Sequence, residues 1–204
     1  MVGNEELNGE IKSLCVFSGS RVGENGRYRE AAVRLGEMMA ERGIRMIYGG
    51  GNIGLMGLAA SAVLQNGGEV VGVIPEFLMS LEVGDPGVTE LVVVETMHQR
   101  KARMYELSDG FVVLPGGLGT LDETLEIATW KQLQLHTKPI VALNIDGFWK
   151  PLSGLLEHVV SSGFAHPAMP GLISTVDTVE EVFGAALDAR APDREILLSH
   201  LGGD

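Results

Sequence analysis

Short apolar runs alternate along this chain with amphipathic segments of helix length, and that alternation constrains its fold more than any other feature. Ile11 to Phe17 precedes Arg27 to Glu41, Ile44 to Tyr48 precedes Leu55 to Leu64, Glu69 to Ile74 follows, and Leu91 to Glu95 precedes Met97 to Leu107. Phe111 to Leu114, a helix from Leu121 to about Leu135, Pro139 to Asn144 and a helix near Pro151 to Val160 extend the series. Val70-Val71-Gly72-Val73 and Phe111-Val112-Val113-Leu114 are apolar without alternation, as parallel strands covered on both faces require. The pattern predicts a Rossmann-like, doubly wound α/β fold: a mostly parallel sheet flanked by helices on both faces, with ligands at the carboxyl ends of the strands.

With 204 residues, 45% of them hydrophobic, the chain can bury a large core in one domain. The expected division is a flexible N-terminus over 1–10, one nucleotide-binding catalytic domain over 11–190 and a C-terminal tail over 191–204. Pro75 to Gly87 interrupts the rhythm and is expected to run over the strand ends as a loop or lid. A formal net charge of -12 argues against a nucleic-acid polymer or an anionic membrane as partner, since both reward a basic face. Cys15, the single cysteine, lies inside an apolar run and reads as a buried structural thiol. Met1 to Glu10 is acidic and lacks the regions of a signal peptide, and no apolar run approaches the ~20 residues of a membrane span, so a cytoplasmic location is expected.

The stretch Pro115-Gly116-Gly117-Leu118-Gly119-Thr120-Leu121-Asp122-Glu123 places glycines where a strand hands over to a helix. Glycines admit a ligand close to the backbone, and the first helical N–H groups have no intrahelical partner, so a phosphate can be held there without a lysine. Thr120 and Glu123 also have the spacing of a capping box, which would be purely structural. A cap needs one special residue whereas this loop has three glycines, which weighs toward phosphate.

Gly49-Gly50-Gly51-Asn52-Ile53-Gly54 formally satisfies the dinucleotide fingerprint, but it follows the second strand rather than the first. Close packing of helix on sheet through Gly54 and Gly57 competes with that reading. Met97-His98-Gln99-Arg100-Lys101-Ala102-Arg103 opens a helix with three cations, which oppose the helix dipole and therefore need a compensating partner: an anionic ligand, or solvent. His98 and His136 have no accompanying ligands at metal-binding spacing, so no metal is expected. Ser18-Gly19-Ser20 closes the first strand and could meet a sugar or phosphate, or form a plain turn.

Taken together, Gly49-Gly50-Gly51-Asn52-Ile53-Gly54-Leu55-Met56-Gly57, Met97-His98-Gln99-Arg100-Lys101 and Pro115 to Glu123 closely resemble the Lonely Guy family, the cytokinin-activating phosphoribohydrolases long labelled lysine decarboxylases. The resemblance spans Ser13 to about Ser174. It implies hydrolysis of the N-glycosidic bond of N6-substituted adenosine 5′-monophosphates to free base and ribose 5-phosphate, in a homodimer with no cofactor and no metal. Carried over by motif, Arg100 and Glu123 take the catalytic positions. Glu82, Met97, Lys101, Gly116, Gly117, Leu118, Gly119 and Thr120 take substrate-binding ones. Bond breaking at a ribosyl C–N passes through an oxocarbenium-like state, which a carboxylate such as Glu123 can stabilise. Lysine decarboxylation needs an electron sink held on a lysine, and the only motif lysine, Lys101, adjoins Arg100 in a phosphate-site context. Two rival classes are a non-catalytic nucleotide or molybdenum-cofactor carrier, which needs the glycines but not the Arg100 and Glu123 pair, and a dinucleotide oxidoreductase built on Gly49 to Gly54.

Overall fold

The computed structural model describes residues 11–79, 87–189, 191 and 196. The expectations for the 1–10 segment, for Glu82 and for most of the 191–204 tail lie outside the described residues. Seven strands, β1 (Ser13–Phe17), β2 (Arg45–Tyr48), β3 (Val70–Pro75), β4 (Glu90–Val94), β5 (Gly110–Val113), β6 (Ile140–Leu143) and β7 (Ser174–Val176), form one sheet in the order β4-β3-β2-β1-β5-β6-β7. Every neighbouring pair is parallel. The helices are α1 (Gly26–Glu41), α2 (Gly54–Gln65), the single turn α3 (Glu76–Met79), α4 (Met97–Glu106), α5 (Leu118–Gln132), α6 (Lys150–Ser161) and α7 (Val179–Asp188). The doubly wound expectation holds. β7 and α7 extend it beyond the elements read from the sequence.

The absence of polar alternation in the strands follows from the two cores. Leu14, Val16, Val112, Leu114, Val141 and Leu143 point to one face, where they join Leu35 and Met39 of α1, Val63 of α2 and Phe183 of α7. Cys15, Phe17, Phe111, Val113, Ile140 and Ala142 point to the other, against Met104 of α4, Ile127 and Ala128 of α5 and Trp149 before α6. Successive side chains of a strand take opposite faces, so burial on both leaves no position for a polar residue.

β1 is held at its start as well as along its edges. The Asp109 carboxylate accepts from the backbone N–H of Lys12 at 2.9 Å, from that of Ser13 at 2.8 Å and from the Ser13 hydroxyl at 2.9 Å. Asp109 N–H donates back to Ser13 O at 3.0 Å. This clamp sets the register of β1 against β5, from a residue 96 positions away in sequence.

Below the second core sit two buried bases. His136 Nδ1 accepts from Lys138 N–H at 3.1 Å, so its proton lies on Nε2, 2.9 Å from Ile127 O. Both ring nitrogens are thereby committed within the chain. Burial lowers His136 to about 4, and lowers Lys131 to about 8. The Lys131 ammonium has no hydrogen-bond or ion-pair partner among the described residues. A folded-state pKa below the unfolded value means that the unfolded chain binds more protons between the two, so stability rises with pH in that window. Stability is therefore expected to fall as pH drops from about 6.5 toward 4 through His136, by ~3 kcal/mol at most. Lys131→Met should raise the thermal midpoint at pH 7 by several degrees, because it removes a buried charge that lacks a counterion. Thermal melts by circular dichroism from pH 4 to 9 check both; an unchanged or lowered midpoint for the variant would contradict the second.

Candidate functional site

The chain runs outward from β1 through β2, β3 and β4, then returns to the other side of β1 for β5, β6 and β7. That reversal opens a crevice at the carboxyl ends of β1 and β5, where ligands of doubly wound folds bind. A cleft of about 330 Å³ occupies it, lined by Gly19 to Gly23 on one side, Pro115 to Gly117 on the other, and Tyr28, Leu55 and Phe148. Gly19 N–H donates to Pro115 O at 3.0 Å, so the two loops touch at the cleft floor. Of the Ser18-Gly19-Ser20 turn, Ser20 lines the cleft, while the Ser18 hydroxyl is buried without a hydrogen-bond partner among the described residues.

α5 opens three residues earlier than the sequence predicts. Gly117 is its N-cap, no side chain caps it, and Thr120 lies inside the first turn. The capping-box alternative for Thr120 and Glu123 is therefore not what the structure holds; such boxes occur instead at Thr96 with Gln99 and at Thr178 with Glu181. Gly116 is required by packing, since a Cβ there would come within 2.1 Å of the Thr120 hydroxyl. Gly117 and Gly119 face open space, with no atom within 4 Å of a notional Cβ. Leu118 between them is 86% exposed. By helix geometry the first N–H groups of this turn have no intrahelical acceptor, and Gly117, Leu118 and Gly119 are exposed among the described residues.

The three cations of α4 have found their partners inside the chain. Arg100 is buried and spans two strand ends: its Nε donates to Val73 O at 3.1 Å and its Nη2 to Gly49 O at 2.8 Å. Its Nη1 lies 3.8 Å from Met97 Sδ. Lys101 Nζ stands 3.1 Å from both Asp122 and Glu126, one turn apart on α5. Burial works against that charge, but Glu126 and Asp122 outweigh it and hold Lys101 above its ordinary value. Arg103 pairs with Glu106. The expected compensation is thus carbonyls and carboxylates of the fold.

Glu123 is half-buried on α5 between Asp122 and Glu126 in sequence. Burial, and next the Glu123 carboxylate, push the Cys15 thiol well above its ordinary range, while the Arg100 guanidinium pulls it down. The helices that carry these two charges, α4 and α5, both pack on the Cys15 face of the sheet. The structure puts Met97 beside Arg100 and ties Lys101 to α5 through Asp122 and Glu126. Glu82 is outside the described residues. Earlier in the same segment, Leu78 is half-buried and Met79 exposed, and both are apolar.

Gly49 to Gly54 is a seat rather than a dinucleotide fingerprint. A Cβ at Gly49 would lie 2.0 Å from Arg100 Nη2, and one at Gly54 would lie 2.5 Å from Arg21 N. Gly54 also has φ +63°, a conformation that side chains resist. The close packing is real but is not helix on sheet: Gly54 meets the Gly19-Ser20-Arg21 backbone and Gly57 the backbone of Asn52, both in loops. Sequence reasoning missed Arg21, Tyr28 and Phe148 as cleft residues. Arg21 directly follows the turn already noted, whereas Tyr28 and Phe148 meet edge to face across 120 positions and give no local signal.

A family model described as "Possible lysine decarboxylase" matches residues 56–186. The cytokinin riboside 5′-monophosphate phosphoribohydrolase LOG of Oryza sativa subsp. japonica is 43% identical over 191 residues, covering 94% of this chain and 78% of that protein. LOG7 of Arabidopsis thaliana, with the same description, is 41% identical over 200 residues, 98% of this chain and 92% of that one. The chain belongs to the LOG family. Among solved structures, the molybdenum cofactor carrier protein of Chlamydomonas reinhardtii superposes with a TM-score of 0.65 at 19% identity, covering 86% of this chain and 96% of that one. The molybdenum cofactor binding protein of Rippkaea orientalis gives 0.60 at 19%, covering 84% and 91%. These likenesses establish a shared fold. The two LOG relatives are matched at 43% and 41% identity over most of this chain.

Proposed function

We propose that this chain hydrolyses the N-glycosidic bond of adenosine 5′-monophosphates, N6-substituted ones included, to the free base and ribose 5-phosphate. The observation that supports the reading is that α4, which carries Arg100, and α5, which carries Glu123, pack on one face of the sheet, and that Gly117 and Gly119 stand open at the start of α5. The phosphate docks on the Gly116 to Thr120 turn, so binding energy remote from the reacting bond holds the ribose in place. As the C1′–N9 bond breaks, its electron pair leaves with the base, which takes up a proton. Positive charge develops on the ribose, the Glu123 carboxylate stabilises it, and the oxygen of a water molecule bonds to C1′ as that water gives up a proton, which balances the one the base has taken. Arg100, fixed by the carbonyls of Val73 and Gly49, supplies a stationary positive charge near Glu123. Met97 and the residues about Leu78 form the apolar side of the base site, and Glu82 contacts the substrate. Lys101 supports the site by fixing α4 to α5.

Lys101 is held charged by two carboxylates, the wrong state for the neutral amine that a Schiff base needs, which favours hydrolysis over decarboxylation. The carrier reading has only a likeness of fold at 19% identity behind it. We further place the enzyme in the cytoplasm as a homodimer: Cys15 is a free buried thiol, and Leu118 and Leu125 are exposed on α5. Among the described residues no helix is long and apolar enough to cross a membrane.

The test is incubation of the purified chain with adenosine 5′-monophosphate and its N6-isopentenyl derivative, following base and ribose 5-phosphate. Equal release of both products is expected. Binding of either nucleotide with no cleavage would contradict the proposal.

A further inference from the structure

We propose that Arg21 is the cation that holds the 5′-phosphate of the substrate. The inference rests on the hydrolase reading above and assigns a residue that no motif carries. A dianionic phosphate has to be drawn to a chain of net charge -12, so a local positive group must face the place where it docks. The two cations of the α4 motif are poorly disposed for that task. Lys101 Nζ is shared between Asp122 and Glu126 at 3.1 Å each, and Arg100 has given its Nε and Nη2 to the carbonyls of Val73 and Gly49.

Arg21 lines the same cleft as Gly116 and Gly117. Its side chain is exposed, and it forms no hydrogen bond or ion pair among the described residues. Its root, by contrast, is fixed. Gly54 packs against the Arg21 backbone so closely that a Cβ would lie 2.5 Å from the Arg21 nitrogen, and Leu55 N–H donates to Gly19 O at 3.0 Å. A guanidinium on a rigid base beside an open helix N-terminus can deliver two parallel N–H donors to phosphate oxygens. The nearby Arg27 cannot take the part, since it is paired with Asp146 across the other side of the α1 start. The second glycine motif thereby acquires a role at the ligand without touching it: Gly54 holds the backbone from which Arg21 reaches.

The experiment compares wild type, Arg21→Ala, Arg21→Lys and Arg27→Ala with adenosine 5′-monophosphate and with adenosine, and measures ribose 5-phosphate binding by calorimetry. Arg21→Ala should raise KM for the monophosphate about tenfold or more with kcat within about twofold, and weaken ribose 5-phosphate to a similar degree. Activity on adenosine should not change, Arg21→Lys should recover part of the loss, and Arg27→Ala should match wild type. A KM for Arg21→Ala equal to that of wild type, or equal losses on adenosine and its monophosphate, would overturn the assignment. Should wild type cleave neither substrate, the hydrolase reading falls. The calorimetry then decides Arg21 alone: binding that Arg21→Ala abolishes supports it, and binding that is absent in wild type or unaltered in the variant refutes it.

Discussion

Glu123→Gln is expected to lower kcat for adenosine 5′-monophosphate by about a thousandfold, or ~4 kcal/mol of transition-state stabilisation, with nucleotide affinity within a few fold of wild type. Glutamine keeps the volume and one carbonyl oxygen of glutamate but not its charge. The charge matters most when the ribose becomes oxocarbenium-like, and least in the ground state, where the phosphate is bound elsewhere on the α5 turn. The split between kcat and KM is therefore the informative quantity. Asp122 and Glu126 provide the contrast, because their carboxylates already serve Lys101. Asp122→Asn should cost far less activity. Single-turnover base release for the two variants checks the prediction, and comparable losses in both would move the chemistry away from Glu123.

A second large effect is expected from a single methyl group at Gly49. The Cβ of Gly49→Ala would lie 2.0 Å from Arg100 Nη2 and 2.9 Å from its Cζ, so the guanidinium has to leave the position where it bridges Val73 O and Gly49 O. Those carbonyls and a charged group that is only 5% exposed then lose each other. Breaking such a buried arrangement costs ~3–5 kcal/mol, or roughly 10 °C in thermal midpoint for a chain of this size. Catalysis should fall with it, since Arg100 leaves the position its backbone acceptors define. The clash makes the two positions non-additive: Arg100→Met with Gly49→Ala should be no worse than Arg100→Met alone, within about 0.5 kcal/mol. Denaturant melts of the four proteins in the cycle measure this. Simple additivity would show that the two residues do not share the seat.

Much of this architecture was legible because it is written in local pattern. Runs such as Phe111 to Leu114 are apolar throughout for the reason that both sheet faces are covered, and the segment after them breaks into glycines where the crevice opens. β7 escaped because it is a three-residue edge strand, Ser174–Val176, that is only partly buried. α7 did carry a signal, in the capping box from Thr178 to Glu181 followed by Val182, Phe183 and Ala186 at helical spacing. The start of α5 was misplaced because Gly119 was taken for loop, although a glycine in the first helical turn costs little when Gly117 already provides the cap. At the site, the motif residues were visible and their partners were not. The acceptors of Arg100 are carbonyls at the ends of β2 and β3, and a backbone oxygen leaves no mark in sequence. The partners of Lys101 lie one turn apart on another helix, and only the placement of α4 and α5 on the same sheet face selects them from the many acidic residues of the chain.

The clamp between Asp109 and the start of β1 has a consequence for how the molecule comes into being. β1 lies at the centre of the sheet, yet its neighbour β5 and the carboxylate that registers it are made almost a hundred residues later. During synthesis β1 to β4 can pair in order and leave the far edge of β1 bare, a template for unwanted strand addition until Gly110 to Val113 arrives. The nucleotide cleft is born in the same event, because one of its walls is the loop that follows β5. Ligand can therefore give no help to a half-made chain: the pairing that covers the far edge of β1 and the second wall of the cleft arrive together, and a nascent chain shorter than β5 has neither.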